Sequence, residues 1–138
     1  MKAKIRDTEL FFDVLGAGIE FTEDAAVEKP AMFLLHGGPG MDHSSFKNYC
    51  PELQDIAQLI MMDHRGCGRS RRGDPQSYHL QNNIDALREY LGFEKIIVYG
   101  HSYGGMIAQG YALKYPQHVA KLILGVTASC QPPQSETV

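Results

Sequence analysis

The sequence predicts an α/β fold, in which a mostly parallel sheet is covered by helices on both faces. Short unbroken apolar runs alternate along the chain with helical patterns, and glycine-rich loops follow several of the apolar runs. The chain has 138 residues, of which 43% are hydrophobic. This is enough for the core of one globular domain and too little for two. Strands separated by helices require right-handed crossovers, which place the strands parallel in one sheet.

The N-terminal segment is predicted to be a β-hairpin. Across residues 3–14, apolar and polar residues alternate on both sides of a polar turn at 6–8, the period of strands with one buried face. Residues 16–30 are polar and turn-rich. The run 31–35 is apolar throughout, as in a strand buried on both faces, and it is predicted to begin the central sheet.

Helical periodicity recurs in the rest of the chain. Its clearest example is the stripe of Leu80, Ile84, Leu87 and Leu91, followed by Gly92, where the C-terminus of a helix favours a positive φ. Helices are predicted over 44–54 with an interruption at Pro51, over 80–91, and over 106–115, where Pro116 ends the helix.

Three further apolar runs are predicted to be buried strands. A polar loop over 65–77 separates the first of them from the following helix. The strands are predicted over 59–62, 96–99 and 122–126. Residues 1–130 therefore form the predicted α/β domain, and 131–138, which show no hydrophobic periodicity, are predicted to be a tail or linker.

Charge and composition argue against several classes of partner. Thirteen basic residues against sixteen acidic ones give a net charge of −3, and neither sign forms a run, so no nucleic-acid partner is expected. The apolar runs are far shorter than the roughly 18 residues that a membrane span needs, and the N-terminus lacks the pattern of a secretory signal. We therefore expect no membrane partner and a cytoplasmic location.

The cysteines and histidines predict neither disulfide bonds nor a metal site. The three cysteines are an odd number without CxxC spacing, so we expect reduced thiols. The six histidines form no HxxxH or HxH pair. No metal and no cofactor is expected.

A GxSxG motif beginning at Gly100 lies directly between a predicted strand and a predicted helix, which is the context of a nucleophile elbow. Such a turn holds the serine in a strained conformation that small neighbours permit, here Gly100, Gly104 and Gly105. Ser102 is the predicted nucleophile, and the N–H of Tyr103 at the helix N-terminus would stabilise an oxyanion. The alternative is a glycine-rich turn needed only for tight packing of strand and helix.

A second glycine-rich loop, HGGPG at 36–40, follows the first buried strand. Its glycines allow close approach of the backbone and leave N–H groups free to point at an anion. The loop is therefore predicted to form the second wall of an oxyanion hole. A phosphate-binding loop is one alternative, but the GxxxxGK[ST] pattern and any basic residue are missing from it. A turn without a functional role is the other.

Three further features are candidate parts of a site. The segment 63–70, DHRGCGRS, ends a predicted strand and by itself indicates only a charged, glycine-containing turn. His101 adjoins the serine, but neighbouring residues of an elbow point in different directions, so it is not favoured as the base. His118 lies in a helix-to-strand connection at the opposite end of the sheet and is predicted to be a surface residue.

The motifs HGGPG, DxRGxGxS and GxSxGG, in this order, resemble those of the α/β-hydrolase fold and, more closely, of the proline iminopeptidase branch of serine peptidases. The resemblance covers residues 3–128. It implies Ser102 as the nucleophile and the amides of Tyr103 and of Gly38 or Gly37 as the oxyanion hole. The implied activity is removal of N-terminal proline from short peptides through an acyl-enzyme.

The resemblance also sets expectations beyond these residues. Asp63 and Arg65 would organise the loops around the site. In this fold the triad follows the order serine, acid, histidine, and the acid and histidine offered here, Glu136 and His118, do not fit it. The chain is therefore expected to be the N-terminal half of a hydrolase domain, with 131–138 at the start of a cap linker.

Two expectations about function remain open beside this one. An esterase or another α/β hydrolase would share most of the motifs, and a non-catalytic fragment would explain the missing triad members. In an N-terminal half the last predicted strand, 122–126, would have an unpaired apolar edge. Self-association or a complementary chain through that edge is the expected protein partner, beside a small-molecule or short-peptide substrate.

Overall fold

Residues 1–129 are described by a computed structural model of the chain. Eight strands form two sheets, one of six strands and one of two. The tail predicted for 131–138 lies outside the described residues. The strands are β1 (Lys2–Ile5), β2 (Thr8–Leu15), β3 (Ile19–Phe21), β4 (Ala26–Glu28), β5 (Ala31–Leu35), β6 (Gln58–Met62), β7 (Ile96–His101) and β8 (Val119–Gly125).

The main sheet has the strand order β1-β2-β6-β5-β7-β8. Strands β1 and β2 form an antiparallel hairpin, and β2 pairs antiparallel with β6. The strands β6, β5, β7 and β8 are parallel. The predicted fold class and N-terminal hairpin are thereby confirmed. The separate β3–β4 hairpin was not predicted, because all six of its residues are exposed and leave no pattern of burial in the sequence.

In the described part of the chain, three α-helices and three short 3₁₀ turns connect the strands. The helices are α1 (Ser44–Tyr49), α2 (Leu80–Tyr90) and α3 (Tyr103–Lys114), and the turns are Pro51–Asp55, Pro75–Ser77 and Pro116–His118. The interruption at Pro51 and the end before Pro116 are confirmed. Several predicted bounds were wrong: α3 begins at Tyr103 rather than at 106, and β7 ends at His101 rather than at 99. Strand β8 begins at Val119 rather than at 122 and ends before Val126, whose φ of 47° lies in the left-handed region.

Apolar side chains cover both faces of the central strands. Strand β5 is buried at every position, and alternate residues point to opposite faces. Phe33 and Leu35 pack in a cluster with residues of α2 and α3. Met32 and Leu34 pack in a second cluster with Phe46 of α1. The helices therefore lie on both faces of the sheet, as the unbroken apolar run 31–35 predicts.

The edge strand β8 differs from the other parallel strands in its exposure. Leu122, Ile123 and Leu124 are 38%, 40% and 43% exposed, and among residues 1–129 β8 pairs with β7 alone. Within residues 1–129 every helix is too short to cross a membrane.

A polar network joins α2 and α3 at the end of the sheet where β8 begins. Asp85, buried on α2, accepts hydrogen bonds from Arg88 Nε at 2.9 Å, from the Tyr111 hydroxyl at 3.1 Å and from His118 Nδ1 at 2.7 Å. The prediction that His118 is a surface residue is therefore wrong. The turn Pro116–His118 carries the imidazole against α2 and leaves only 25% of it exposed.

Candidate active site

Three loops meet at the carboxyl edge of the parallel strands. The first follows β5, the second follows β6, and the third joins β7 directly to α3. In sheets of this kind ligands bind at that edge, because the loops there converge while the strand bodies are packed. The loops contain the three sequence motifs described above, and the structure brings all three motifs together.

Ser102 occupies the turn between β7 and α3. Its φ of 53° and ψ of −119° are strained for a residue with a side chain and cost on the order of 1–3 kcal/mol. Two hydrogen bonds hold the backbone of Ser102 in this conformation. The Ser102 N–H donates to the Gly125 carbonyl at 3.0 Å, and the Ser102 carbonyl accepts from Thr127 Oγ1 at 2.6 Å.

Glycine is required at three positions around this turn. A Cβ at Gly104 would overlap the carbonyl oxygen of Leu35, and one at Gly100 would overlap that of Gly104. A Cβ at Gly105 would lie 2.5 Å from the Thr127 side chain. The close approach of α3 to the sheet therefore depends on all three glycines, as the sequence predicts. Thr127, which sequence reasoning missed, packs against the helix and holds the serine carbonyl.

The 36–40 loop lies against Ser102. Gly37 is buried, and a Cβ on it would come within 3.2 Å of the Ser102 Cβ. Gly38 is partly exposed and has a φ of 81°, a conformation that favours glycine. Within residues 1–129 the N–H groups of Gly38 and Tyr103 make no backbone hydrogen bond beyond the regular elements. Both are therefore available to a ligand oxygen.

Two buried histidines join this loop to the end of β6. The rings of His36 and His64 lie 4.1 Å apart between centroids. The backbone N–H of His64 donates to His36 Nε2 at 3.2 Å, and His64 Nε2 donates to the His36 carbonyl at 3.1 Å. His36 Nδ1 donates to the Gly37 carbonyl at 2.8 Å. Burial lowers the pKa of both imidazoles, that of His64 to about 3, so both are neutral at neutral pH.

Asp63 connects the loop after β6 to the start of α1. Its Oδ1 accepts from the backbone N–H of His43 at 3.0 Å and from His43 Nδ1 at 2.6 Å. Its Oδ2 accepts from the Arg69 N–H at 2.8 Å. A Cβ at Gly68, where φ is 50°, would overlap this carboxylate. Asp63 thus has the organising contacts that the family resemblance implies.

A second carboxylate extends this network. His43 Nε2 lies 3.1 Å from Asp13 Oδ2, and Lys47 is hydrogen-bonded to the same oxygen. Burial disfavours the imidazolium, but the hydrogen bonds and charges of Asp63 and Asp13 outweigh it and raise the pKa of His43. Sequence reasoning missed this cluster, because nothing in the local pattern pairs Asp13 of the hairpin with His43.

Arg65 ties the same loop to the N-terminal hairpin. Its Nη1 donates to Asp7 Oδ2 at 2.9 Å and to the Ser77 carbonyl at 3.2 Å, and its guanidinium lies over the Tyr78 ring, 5.3 Å from the centroid. Arg65 is buried, whereas Asp7 is exposed. The contacts of Arg65 also agree with the organising role that the resemblance implies.

Among residues 1–129, the buried and half-buried histidines are hydrogen-bonded to groups other than the Ser102 hydroxyl. His36 and His64 bond to each other and to the 36–40 loop, and His43 bonds to carboxylates. His118 bonds to Asp85 at the other end of the sheet, and His101 is exposed. The described residues also bring together no group of three side chains able to hold a metal ion.

Comparisons with known proteins agree with this geometry. The profile of a family described as the alpha/beta hydrolase fold matches residues 30–137. The chain is 38% identical over 123 residues to the proline iminopeptidase PfmaB of Pestalotiopsis fici, a match that covers 86% of this chain and 43% of that protein. It is 41% identical over 113 residues to a proline iminopeptidase of Lactobacillus helveticus, covering 74% of this chain and 37% of that one.

Structural similarity extends across the same fold. A solved structure of a mutant meta-cleavage product hydrolase from Pseudomonas fluorescens IP01 matches with a TM-score of 0.80 at 20% identity, over 96% of this chain and 47% of that one. At this identity the match shows the fold alone. The chain spans less than half the length of these relatives.

Proposed function

The chain belongs to the α/β-hydrolase fold family, and from this membership we propose that it carries the nucleophile and the oxyanion-hole donors of a serine hydrolase. The observation that carries the proposal is the strained turn at Ser102, with a φ of 53°, between the N-terminus of α3 and the 36–40 loop. Family elbows of this kind present a serine hydroxyl above the sheet. Unpartnered backbone N–H groups beside it are what an oxyanion hole requires.

Each residue has a distinct role in the proposed reaction. Ser102 Oγ attacks the carbonyl carbon of an amide or ester and gives its proton to the histidine base. The bond from that carbon to the amine or alcohol then breaks, the leaving group takes up the proton, and the acyl-enzyme that remains is hydrolysed by water to release the acid. The carbonyl oxygen becomes an oxyanion in the tetrahedral intermediate and accepts from the N–H groups of Tyr103 and of Gly38 or Gly37. The dipole of α3 adds positive potential at this point. Acylation also requires a histidine base, which in this fold follows the serine and an acid.

We propose that the substrates of the whole protein are short peptides that begin with proline. The bond cleaved is the amide that joins this proline to the next residue. The support for this proposal is the set of relatives named proline iminopeptidase, two of which are 38% and 41% identical to this chain. The HGGPG loop and the GxSxGG elbow both lie within residues 30–137, which the profile of the alpha/beta hydrolase fold matches. A cytoplasmic location forms part of the same proposal, and the unpaired thiols of Cys50 and Cys67 support it.

Fluorophosphonate labelling tests whether Ser102 is a nucleophile. The whole protein, with the acid and histidine that follow the serine in this fold, and its Ser102→Ala variant are treated with the reagent, and the intact mass of each is measured. We expect one adduct on the wild type and none on the variant, while Ser44→Ala, which removes an exposed serine outside the site, still gives one. No adduct on wild-type protein that is shown to be folded would contradict the proposal.

A substrate panel separates the peptidase from the esterase alternative. Proline 7-amido-4-methylcoumarin and p-nitrophenyl acetate are compared with wild-type protein and with Ser102→Ala. Hydrolysis of the prolyl amide that is lost in the variant would support the peptidase. Hydrolysis of the acetate ester alone would keep the serine hydrolase and overturn the choice of substrate.

A further inference from the structure

The proposed mechanism gives no role to the most deeply buried histidines beside the site. His36 and His64 are each 1% exposed, and they lie between the end of β6 and the 36–40 loop. Burying two imidazoles next to each other is unfavourable unless their polar atoms are paired. Their hydrogen bonds account for all but one of the four ring nitrogens.

These hydrogen bonds dictate the tautomer of each ring. Nε2 of His36 accepts the N–H of His64 and is therefore unprotonated, so the proton lies on Nδ1, which donates to Gly37. Nε2 of His64 donates to the His36 carbonyl, so Nδ1 of the neutral His64 ring carries no proton. Within residues 1–129 that buried atom has no hydrogen-bond partner. The hydrogen bonds thus run in one direction, from His64 to His36 and from His36 to the 36–40 loop.

The two imidazole donors restrain two successive peptide groups of the 36–40 loop. The carbonyl of the peptide between His36 and Gly37 is held by His64, and the carbonyl of the peptide between Gly37 and Gly38 is held by His36. In a trans peptide the N–H points opposite to the C=O. The N–H groups of Gly37 and Gly38 are therefore turned away from the imidazoles. Glycine peptides rotate readily when nothing holds them, so this restraint matters most in a loop of this composition.

We propose that His36 and His64 are a positioning pair, which holds the N–H groups of Gly37 and Gly38 in the orientation that an oxyanion on Ser102 requires. The inference rests on the proposed function, because it assigns the pair to that same site. Neither imidazole touches the reacting atoms. His64 acts through His36 and through the carbonyl it holds, and His36 acts through the Gly37 carbonyl.

Nitrogen NMR of the 138-residue chain tests the geometry without any reaction. Long-range proton–nitrogen spectra identify which ring nitrogen of each histidine carries the proton. We expect a proton on Nδ1 of His36 and on Nε2 of His64 at neutral pH. The reverse tautomer on His36, or an imidazolium at His64, would overturn the inference.

Two variants at one position test the positioning role. His64→Leu removes the side-chain donor and keeps an apolar group, whereas His64→Gln retains an N–H that can reach the His36 carbonyl. We expect the amide signals of Gly37 and Gly38 to shift and broaden in the leucine variant and to stay near the wild type in the glutamine variant. His118→Leu, at the far end of the sheet, is the matched control and leaves both signals in place.

The labelling rate of Ser102 by a fluorophosphonate, measured in the whole protein with its histidine base, connects this geometry to reactivity. We expect His64→Leu to lower the rate constant by about tenfold to a hundredfold, somewhat less than the loss of a whole oxyanion-hole donor. His64→Gln should restore most of the rate, and His118→Leu should not lower it. Unchanged glycine amides together with an unchanged rate in His64→Leu would overturn the proposal. If wild-type protein is not labelled while the predicted tautomers are observed, the proposed function fails and the orienting role of the pair is still supported.

Discussion

The Asp63 side chain joins the loop after β6 to the segment at the start of α1. It is 1% exposed and accepts hydrogen bonds from the backbone of two separate loops and from the His43 imidazole. A buried carboxylate is stable only when donors surround it. These bonds outweigh the effect of burial and lower the pKa of Asp63. The segment 63–70 is therefore held as a unit, which positions the loops on both sides of it.

His43 makes the stability of this region depend on pH. Its pKa is raised above 6.5, because Asp63 and Asp13 outweigh the effect of burial. A raised pKa contributes stability that is complete below the unfolded value of 6.5 and is lost as the pH rises through the higher folded value. On the acid side, Lys47 and then His43 lower the pKa of Asp13 from 3.8 to about 2. The contribution of Asp13 is present above 3.8 and is lost as the pH falls toward 2.

We predict that the His43 contribution to the free energy of unfolding is largest between pH 3.8 and 6.5. Urea unfolding of the wild type and of His43→Gln across a pH series measures it. The difference in the free energy of unfolding between the two proteins should become smaller above pH 6.5 and below pH 3.8. His79→Gln, which changes an exposed histidine, should show no such window. A difference that does not vary with pH would contradict the prediction.

At the scale of elements, α2 and α3 are joined by the Asp85 network rather than by apolar contacts alone. We predict that Asp85→Ala lowers the free energy of unfolding by about 1–3 kcal/mol, because it leaves the fully buried Tyr111 hydroxyl without its acceptor. Urea unfolding at neutral pH measures the change. Glu89→Ala, on an exposed position of the same helix, should change stability by less than about 0.5 kcal/mol. Equal effects of the two variants would show that the network does not stabilise the helix pair.

The accuracy of the predicted helices follows from how each one is buried. Helix α2 carries one apolar stripe, and its periodicity identified the helix to within a residue at each end. Helix α3 begins with Tyr103, Gly104 and Gly105, which carry no apolar period, so pattern reasoning placed its start at 106. Its first turn is helical because β7 delivers the chain into it through the strained Ser102 turn. Apolar periodicity does not contain this signal, whereas the GxSxG motif does, since it places Tyr103 at the N-terminus of the helix.

At the scale of the whole molecule, the open edge of β8 is where we expect the described part of the chain to associate. One edge of β8 is unpaired among residues 1–129, and Leu122, Ile123 and Leu124 are each at least 38% exposed. Such an edge can pair with another strand and cover these side chains in the same step. We propose a second copy of the chain as the partner, with the two β8 strands antiparallel about a two-fold axis.

Sedimentation velocity over a concentration series tests this prediction. We expect a concentration-dependent dimer for the wild type and a monomer for Ile123→Lys, because a charge on an edge strand opposes pairing. Phe21→Lys is the matched control: it replaces an apolar residue that is 81% exposed on the β3–β4 hairpin, and it should leave the dimer intact. Wild-type chain that stays monomeric throughout the series would contradict the proposal.

The sequence by itself determined the order of strands and helices, the parallel sheet and the three loop motifs. Each of these follows from a short stretch of sequence: an apolar run for a strand buried on both faces, an apolar stripe for α2, and glycines where the backbone must turn tightly. Burial follows such local patterns because backbone geometry repeats every two residues in a strand and every 3.6 in a helix. The β3–β4 hairpin, which buries nothing, left no such pattern.

Only the tertiary structure decided which polar groups meet. His64 bonds to His36 across 28 positions of the chain, His43 to Asp63 across 20 and to Asp13 across 30, and His118 to Asp85 across 33. No local period relates residues so far apart. Their pairing depends on which strands lie side by side and on the requirement that each buried charge or imidazole finds a partner once the apolar faces have packed.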